Sequence, residues 1–316
     1  MILLSQAEVR ELLDLDALID ALADAHRELS DGRASMPPRI AALAERNGLL
    51  GAMPAYLPSA GLTCKLVTLF PENRDRHTHQ ALICVFDPTN GTPVALMDGT
   101  YITATRTAAG SALATRLLAR EDSRVLAILG AGVQARTHAD ALRRVRSFEQ
   151  IRVASRDADR AAELAAEIGA EAVGSWEEAV RGADVVAATT HATEPIVLRE
   201  WLSPGVHVNS VGANPEGRGE VDGAIVRDAL VAVESRASTL APPPAGASEF
   251  RDGAPQDVVE LGELVAGTKP GRTSPEQITL YKSVGVAVQD AAAAALVLAA
   301  ARVRSVGREI ELEEAR

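Results

Sequence analysis

Residues 126–142 read LAILGAGVQARTHADAL, and the fold class turns on how they are read. An apolar run ends at Leu129. Gly130, Gly132 and Ala135 then form G-x-G-x-x-A, and a helical pattern follows at once. The first glycine permits a tight turn, the second lets the backbone approach a pyrophosphate, and the small third residue lets helix pack on strand. Free N–H groups at the helix start would meet the anion. Alone the pattern is weak; between a strand and a helix it predicts dinucleotide binding.

The flanking sequence supplies that setting. RVLAIL, IRVAS, DVVAAT, VHVNSV and ALVAVE are short apolar runs, and helical segments at 134–146, 157–168 and 175–181 separate several of them. Ser175 and Glu178 have the spacing of a capping box. Alternating strand and helix predict an α/β fold with a Rossmann-type, doubly wound parallel sheet, placed over residues 120–285. The second strand runs into SRDADR. An NAD site carries an acid at this strand's end for the ribose hydroxyls; here Ser155 and Arg156 come first, and Asp157 is late by about two positions. A hydroxyl followed by arginine suits a 2′-phosphate, so NADP(H) is favoured over NAD(H).

Upstream the texture differs. Ser5 and Glu8 predict a capped helix start, and Leu15, Leu18, Ile19, Leu22 and Leu29 give a helical stripe that stops near Gly32. RIAAL, LLGAMPAYL, LTCKLVTLF, ALICVF and PVALMDG read as strands, with turn signals at Asn47-Gly48 and Asn90-Gly91. This predicts an antiparallel meander, closed by a small-residue helix from about residue 100 to 119. Residues 1–119 are therefore assigned to a separate substrate or dimerisation domain. TLYKSVGVAVQDAAAAALVLAAARV, from residue 279, reads as a final helix whose part in 286–316 returns to it.

Long cations stand out in that first domain. Arg39 follows MPP at a strand start, and Lys65 lies inside LTCKLVTLF on the same side as Thr63 and Val67. Arg106 interrupts a helix of Ala, Thr, Gly and Ser. An unpaired buried charge is expensive, so cations among small or apolar residues often face an anion. If the three converge, they suit a carboxylate, with arginine as a bidentate clamp. Each taken singly reads equally well as a surface or ion-paired residue. The chain has three lysines, Lys65, Lys269 and Lys282, so arginine carries the routine charge, and a retained lysine reads either as a place needing a compact or deprotonatable cation or as chance. His79 reads first as a hydrogen-bonded structural histidine. The sequence has no metal-ligand constellation and no G-x-S-x-G elbow.

Composition sets the outer bounds. The formal charge of −11 argues against general nucleic-acid binding and anionic membranes, and the 47% apolar content is that of a globular protein. Cys64 and Cys84 sit in apolar runs and read as reduced core residues. The start MILLSQAEVRELL lacks the basic region and long apolar run of a signal peptide, and AAAAALVLAAA is too short to span a bilayer. A cytoplasmic protein is the expectation.

MPPR, MPAYL, CKLVTLFPENRDRHTHQALICVFDPTNGTPVALMDGTYITATRTAAGSALA, ILGAGVQA, ADVVAATTHATEPIV, VNSVGAN and LYKSVGVAVQDAAAA together resemble the ornithine cyclodeaminase/mu-crystallin family over nearly the whole chain. The resemblance implies a Rossmann domain, a dimerisation domain built from the N-terminal part and the C-terminal helix, and a homodimer whose strands join across the interface. It places Arg39, Lys65 and Arg106 at the substrate carboxylate, with Lys65 also the candidate for proton transfer. It implies cofactor contacts at Thr78 and Arg106, at Gly130, Ala131, Gly132, Val133 and Gln134 on the pyrophosphate, and at Ser155 and Arg156 on the ribose end. Thr190, Val211, Gly212, Lys282, Ser283 and Val284 would line the nicotinamide pocket.

One departure bears on the reaction. Where ornithine and lysine cyclodeaminases carry an aspartate after VGG, this sequence reads VGAN, with Asn214 in its place. Asparagine is no carboxylate base and offers no charge to a distal ammonium. The expected activity is therefore hydride transfer at C2 of a small α-imino or α-amino acid, as a ketimine reductase or amino-acid dehydrogenase. A true cyclodeaminase that recycles NAD within one turnover is one alternative. A small-molecule-binding protein that keeps an NADP pocket is the other.

Overall fold

The computed structural model describes residues 1–212, 219–242, 246–250, 255 and 257–311. They form two compact units: residues 1–106 with 286–316, and residues 107–285.

The first unit opens with β1 (Ile2–Leu4), α1 (Gln6–Leu12) and α2 (Leu15–Ser30). Ser5 caps α1 as its spacing predicts: its Oγ accepts the Glu8 N–H, and Glu8 Oε2 accepts the Ser5 N–H at 2.7 Å. Strands β2 (Ile40–Leu43), β3 (Leu49–Leu57), β4 (Gly61–Leu69), β5 (His79–Phe86) and β6 (Pro93–Asp98) follow, and then helix α3 (Thr100–Leu118). Strands β2 to β6 pair antiparallel in sequence order. The sheet is not a pure meander, however. β1 adds to β6 in parallel, because the chain enters at the sheet's far side before α1 and α2 cover it.

The second unit holds β7 (Val125–Leu129), α4 (Val133–Arg143), β8 (Gln150–Ala154), α5 (Ala158–Ile168), β9 (Glu171–Ala172), α6 (Trp176–Val180), β10 (Val185–Ala188) and β11 (His207–Ser210). It continues with α7 (Gly223–Asp228), β12 (Leu230–Val233), α8 (Arg236–Thr239), β13 (Val258–Glu260), α9 (Leu261–Ala266) and β14 (Thr279–Lys282). All eight strands are parallel, in the order β13-β12-β14-β11-β10-β7-β8-β9. Val, Leu, Ile and Ala fill both faces, as a sheet sandwiched between helices requires. The chain steps from β7 to β8 on one side and returns to β10 on the other, so the reversal point lies beside β7's carboxyl end.

The chain then returns to the first unit as α10 (Ala287–Arg304) and β15 (Arg308–Glu309), which completes the sheet β15-β1-β6-β5-β4-β3-β2. α10 packs on α2 and over β3, β4 and β5.

Three expectations need correction. TLYK at 279–282 is not the start of the last helix but a buried central strand between β11 and β12; Gly285, at φ +73°, breaks the chain before α10 begins. The division between units falls inside α3, between Arg106 and Thr107, rather than after residue 119. The later turns of α3 are bound into the parallel-sheet unit, where Ser111 Oγ meets His138 Nε2 at 2.9 Å and Thr115 Oγ1 accepts from Asn209 Nδ2 at 3.0 Å. Cys64 and Cys84 are free thiols paired across β4 and β5, half-buried on the outer sheet face and not in the core. Strand alternation puts them opposite to Lys65, and burial followed by the charge of Cys64 raises the Cys84 pKa.

Candidate active site

In the first unit, register sets the site. Met53, Lys65, Ile83 and Met97 form one row across β3, β4, β5 and β6 on the face that α10 covers. Lys65 is the charged member of an otherwise apolar row and is 2% exposed. Its Nζ lies 2.7 Å from Asp290 Oδ2 on the first turn of α10. Arg106, from α3, puts Nε 3.1 Å from the other oxygen of Asp290 and donates from Nη1 to Gln289 Oε1 at 2.9 Å. Gln289 Nε2 in turn meets His26 Nε2 of α2 at 3.1 Å.

The electrostatics follow from that crowding. Burial, followed by the charges of Arg106 and Arg39, pushes the Lys65 pKa down to about 8 against the pull of Asp290. Burial would raise the Asp290 carboxyl, but Lys65 and Arg106 outweigh it and the pKa is lowered. His79, at the start of β5, belongs to the same cluster: burial, then Lys65 and Arg106, lower it to about 4, so it is neutral at pH 7. Of the cations singled out in the sequence, Arg106 and Arg39 both act on Lys65. Arg39 is exposed just before β2, whereas Lys65 and Arg106 are buried. Two cations, Lys65 and Arg106, share one carboxylate. Among the described residues Asp290 is the one partner of the Lys65 ammonium, which leaves N–H donors for an anion.

In the second unit, the glycine loop has the expected geometry. Gly130 has φ +113°, and a Cβ there would stand 2.9 Å from Thr189 Oγ1. A Cβ on Gly132 would meet nothing within 4 Å, so this space is open to a ligand. Gly132 caps α4 without a side-chain hydrogen bond, and the buried Gln134 Oε1 has no protein partner. Val133 is exposed beside them. Ala131, Gly132, Ser155, Arg156, Asp157 and Arg160 line a cavity of about 410 Å³. An uncapped helix start, an unfilled cradle and two arginines fit a dinucleotide's phosphates.

Beyond β10 and β11, the implied nicotinamide-side residues are tied together by buried carboxylates. Glu220 accepts Thr190 N and Oγ1 at 2.6 and 2.8 Å, Gly212 N at 2.7 Å and Ser210 Oγ at 3.0 Å. Lys282 Nζ donates to Gly212 O at 2.7 Å, Glu249 Oε1 at 2.8 Å and Ser210 Oγ at 3.2 Å, which occupies all three of its N–H groups. Glu234 accepts Ser283 Oγ at 2.7 Å and Val284 N at 2.9 Å. Val211 N donates to Ala188 O at 3.1 Å, and the exposed Thr78 accepts from Phe70 N through its carbonyl at 2.8 Å. Asn214 lies outside the described residues. Sequence reading missed Asp290, Gln289, His26, Glu220, Glu234, Glu249 and Arg160, and it underrated His79. A signal existed for two of them: Gln289 and Asp290 are the polar pair in an alanine-rich helix, the pattern that drew notice to Arg106.

Residues 1–304 match the model of the ornithine cyclodeaminase/mu-crystallin family. The chain belongs to this family. It is a Rossmann-type, nicotinamide-dependent oxidoreductase of that family. It is 41% identical to the ketimine reductase mu-crystallin of Mus musculus, over 84% of this chain and 85% of that one. Its fold is similar to the Δ1-pyrroline-2-carboxylate reductase of Thermococcus litoralis in complex with NADH and L-proline (TM-score 0.92, 37% identity, 98% of this chain and 100% of the other). It is likewise similar to an archaeal alanine dehydrogenase dimer with bound NAD (TM-score 0.90, 33% identity, 99% of each chain). Among the described residues, no helix is long and apolar enough to cross a membrane.

Proposed function

We propose that this oxidoreductase reduces the C=N bond of a small α-imino acid, cyclic or acyclic, or runs the reverse reaction on the amino acid. The observation that carries this reading is the buried Lys65 ammonium, held by one carboxylate and flanked by Arg106 and Arg39. Such a pocket is completed by an anion, and the substrate carboxylate supplies it. Arg106 holds its Nε and Nη1 on Asp290 and Gln289, which orients the rest of the guanidinium for the carboxylate. Lys65 orients the substrate and manages the proton. When bound, the nicotinamide cofactor supplies or accepts the hydride at C2. Gly130 to Gln134 hold its pyrophosphate, and the loops pinned by Glu220 and Glu234 shape its other end.

NADP(H) is the preferred cofactor. Asp157, the acid that NAD would need, is engaged as the cap of α5, accepting the Arg160 N–H at 3.1 Å, and Ser155, Arg156 and Arg160 line the same cavity beside it. The protein works as a homodimer. The outer face of the β2–β6 sheet presents Leu50, Tyr56 and Leu82, and β2 ends in exposed Ile40 and Leu43, an apolar surface that a second copy would cover. Asn214, read from sequence alone, disfavours cyclodeamination. The test is a spectrophotometric screen of NADH and NADPH against Δ1-pyrroline-2-carboxylate, its six-membered homologue, and pyruvate or glyoxylate with ammonia or methylamine. Oxidation of NADPH with an imine is expected. Tight NADPH binding with no turnover of any imine would favour a binding protein, and proline with ammonia from ornithine would favour cyclodeamination.

A further inference from the structure

We propose that Asp290 is the positioning residue that keeps Lys65 charged, so that Lys65 delivers a proton to the substrate nitrogen. The inference rests on the imine-reductase reading and adds to it a division of labour between two neighbouring cations.

The geometry makes the division. Asp290 is a single carboxylate, 1% exposed, shared between Lys65 on Oδ2 and Arg106 on Oδ1. Arg106 has a second fixed contact, Gln289 Oε1, and Gln289 is itself anchored by His26. One edge of the guanidinium is thereby locked, as a clamp requires. Lys65 has one fixed contact and lies in an apolar cross-strand row, so its ammonium is the movable proton. The charged and titratable groups around it are Arg39 before β2, His79 on β5, Arg106 on α3 and Asp290 on α10. His79 is neutral at pH 7 and both arginines repel the ammonium, so Asp290 alone favours it.

The step balances. With a hydride that bound NAD(P)H would supply at C2, the C=N π pair would move to nitrogen, and nitrogen would take a proton from Lys65 Nζ. Lys65 is left as a neutral amine and regains its proton from water. Near pH 8 the lysine sits where donation and recharging are both accessible. Without Asp290 the same burial and the same two arginines act unopposed, and the lysine gives up its proton at lower pH.

The scarcity of lysine makes the test direct. Protein labelled with 13C at lysine Cε carries three such residues, and Lys65→Arg identifies the resonance of interest. In the wild type that resonance should titrate near pH 8, together with the basic limb of kcat/KM for imine reduction and with the loss of affinity for a non-reacting carboxylate such as pyrrole-2-carboxylate. Asp290→Asn should move all three to lower pH by about one unit or more, the usual effect of an opposite charge at contact distance. Asp290→Glu should restore them. A folded Asp290→Asn protein with the wild-type titration overturns the inference. If that variant does not fold, a wild-type Lys65 resonance whose midpoint differs from the kinetic limb does so instead. A wild type that reduces no imine at all sinks the proposed function, while the resonance still reports whether Asp290 governs Lys65.

Discussion

Lys65 shows how a residue's neighbours set its chemistry. An ammonium on the open edge of this sheet would be an ordinary surface charge; one register position inside an apolar row, under α10, it loses affinity for its proton. Reduction should therefore decline as pH rises through about 8, because the ammonium form is required below that value and lost above it. Lys65→Met should lower kcat/KM by roughly 10²–10³-fold, measured by NADPH oxidation at saturating cofactor. At the ribose end, Arg156→Ala should raise KM for NADPH about tenfold or more and leave NADH nearly unchanged, the loss expected for one charged hydrogen-bonding partner. Equal losses with both cofactors would assign Arg156 to packing or to the adenine. Lys65, Arg106 and the glycine loop were legible because each breaks a local pattern. Asp290's partnership with Lys65 was not, because it is a tertiary contact between a strand and a helix far apart in sequence.

Elements carry a different lesson. The loops after β10 and β11 are held by one side chain, Glu220, which accepts from both and is 1% exposed. Glu220→Ala leaves the buried N–H groups of Thr190 and Gly212 without acceptors. It should cost about 3 kcal/mol or more by denaturant titration, since each orphaned buried donor costs about 1–3 kcal/mol. Glu220→Gln, which keeps an acceptor oxygen, should cost less. Nothing in the stretch RGEVDG signals this role, because a carboxylate that clips two loops has no periodicity. The misreading of TLYK has the same origin. Four buried residues with no polar alternation, abutting an alanine-rich helix, carry no period that separates strand from helix. Strands β3 and β4 were legible to within a residue because each is an apolar run of strand length set off by turn residues.

For the whole molecule, buried histidines tie stability to pH. Burial lowers His138 to about 4; burial and then Arg272 lower His207 to about 3; the unfolded chain binds these protons near pH 6.5. Stability is thus full above pH 6.5 and falls as pH drops toward 4, at up to ~1.4 kcal/mol per pH unit for each histidine. Melting temperatures from pH 7.5 to 4.5 should show the decline, and His138→Gln should flatten it. A flat profile in the wild type would show that these rings titrate in the fold as they do in the unfolded chain. The apolar outer sheet face makes its own demand at this scale. If the proposed homodimer forms through this face, Leu82→Asp should shift the protein from dimer toward monomer in light scattering, and an unchanged mass would place the interface elsewhere.

The lysine inventory has one more consequence. Lys65 and Lys282 are 2% and 1% exposed, while Lys269 lies in the open after α9. An amine-reactive reagent added to the folded protein should therefore mark Lys269 and the N-terminus and leave the other two untouched. Labelling of Lys282, whose ammonium is caged by Glu249, Ser210 and the Gly212 carbonyl, would then report the loosening of the nucleotide-binding unit, with no dye, tag or engineered cysteine needed.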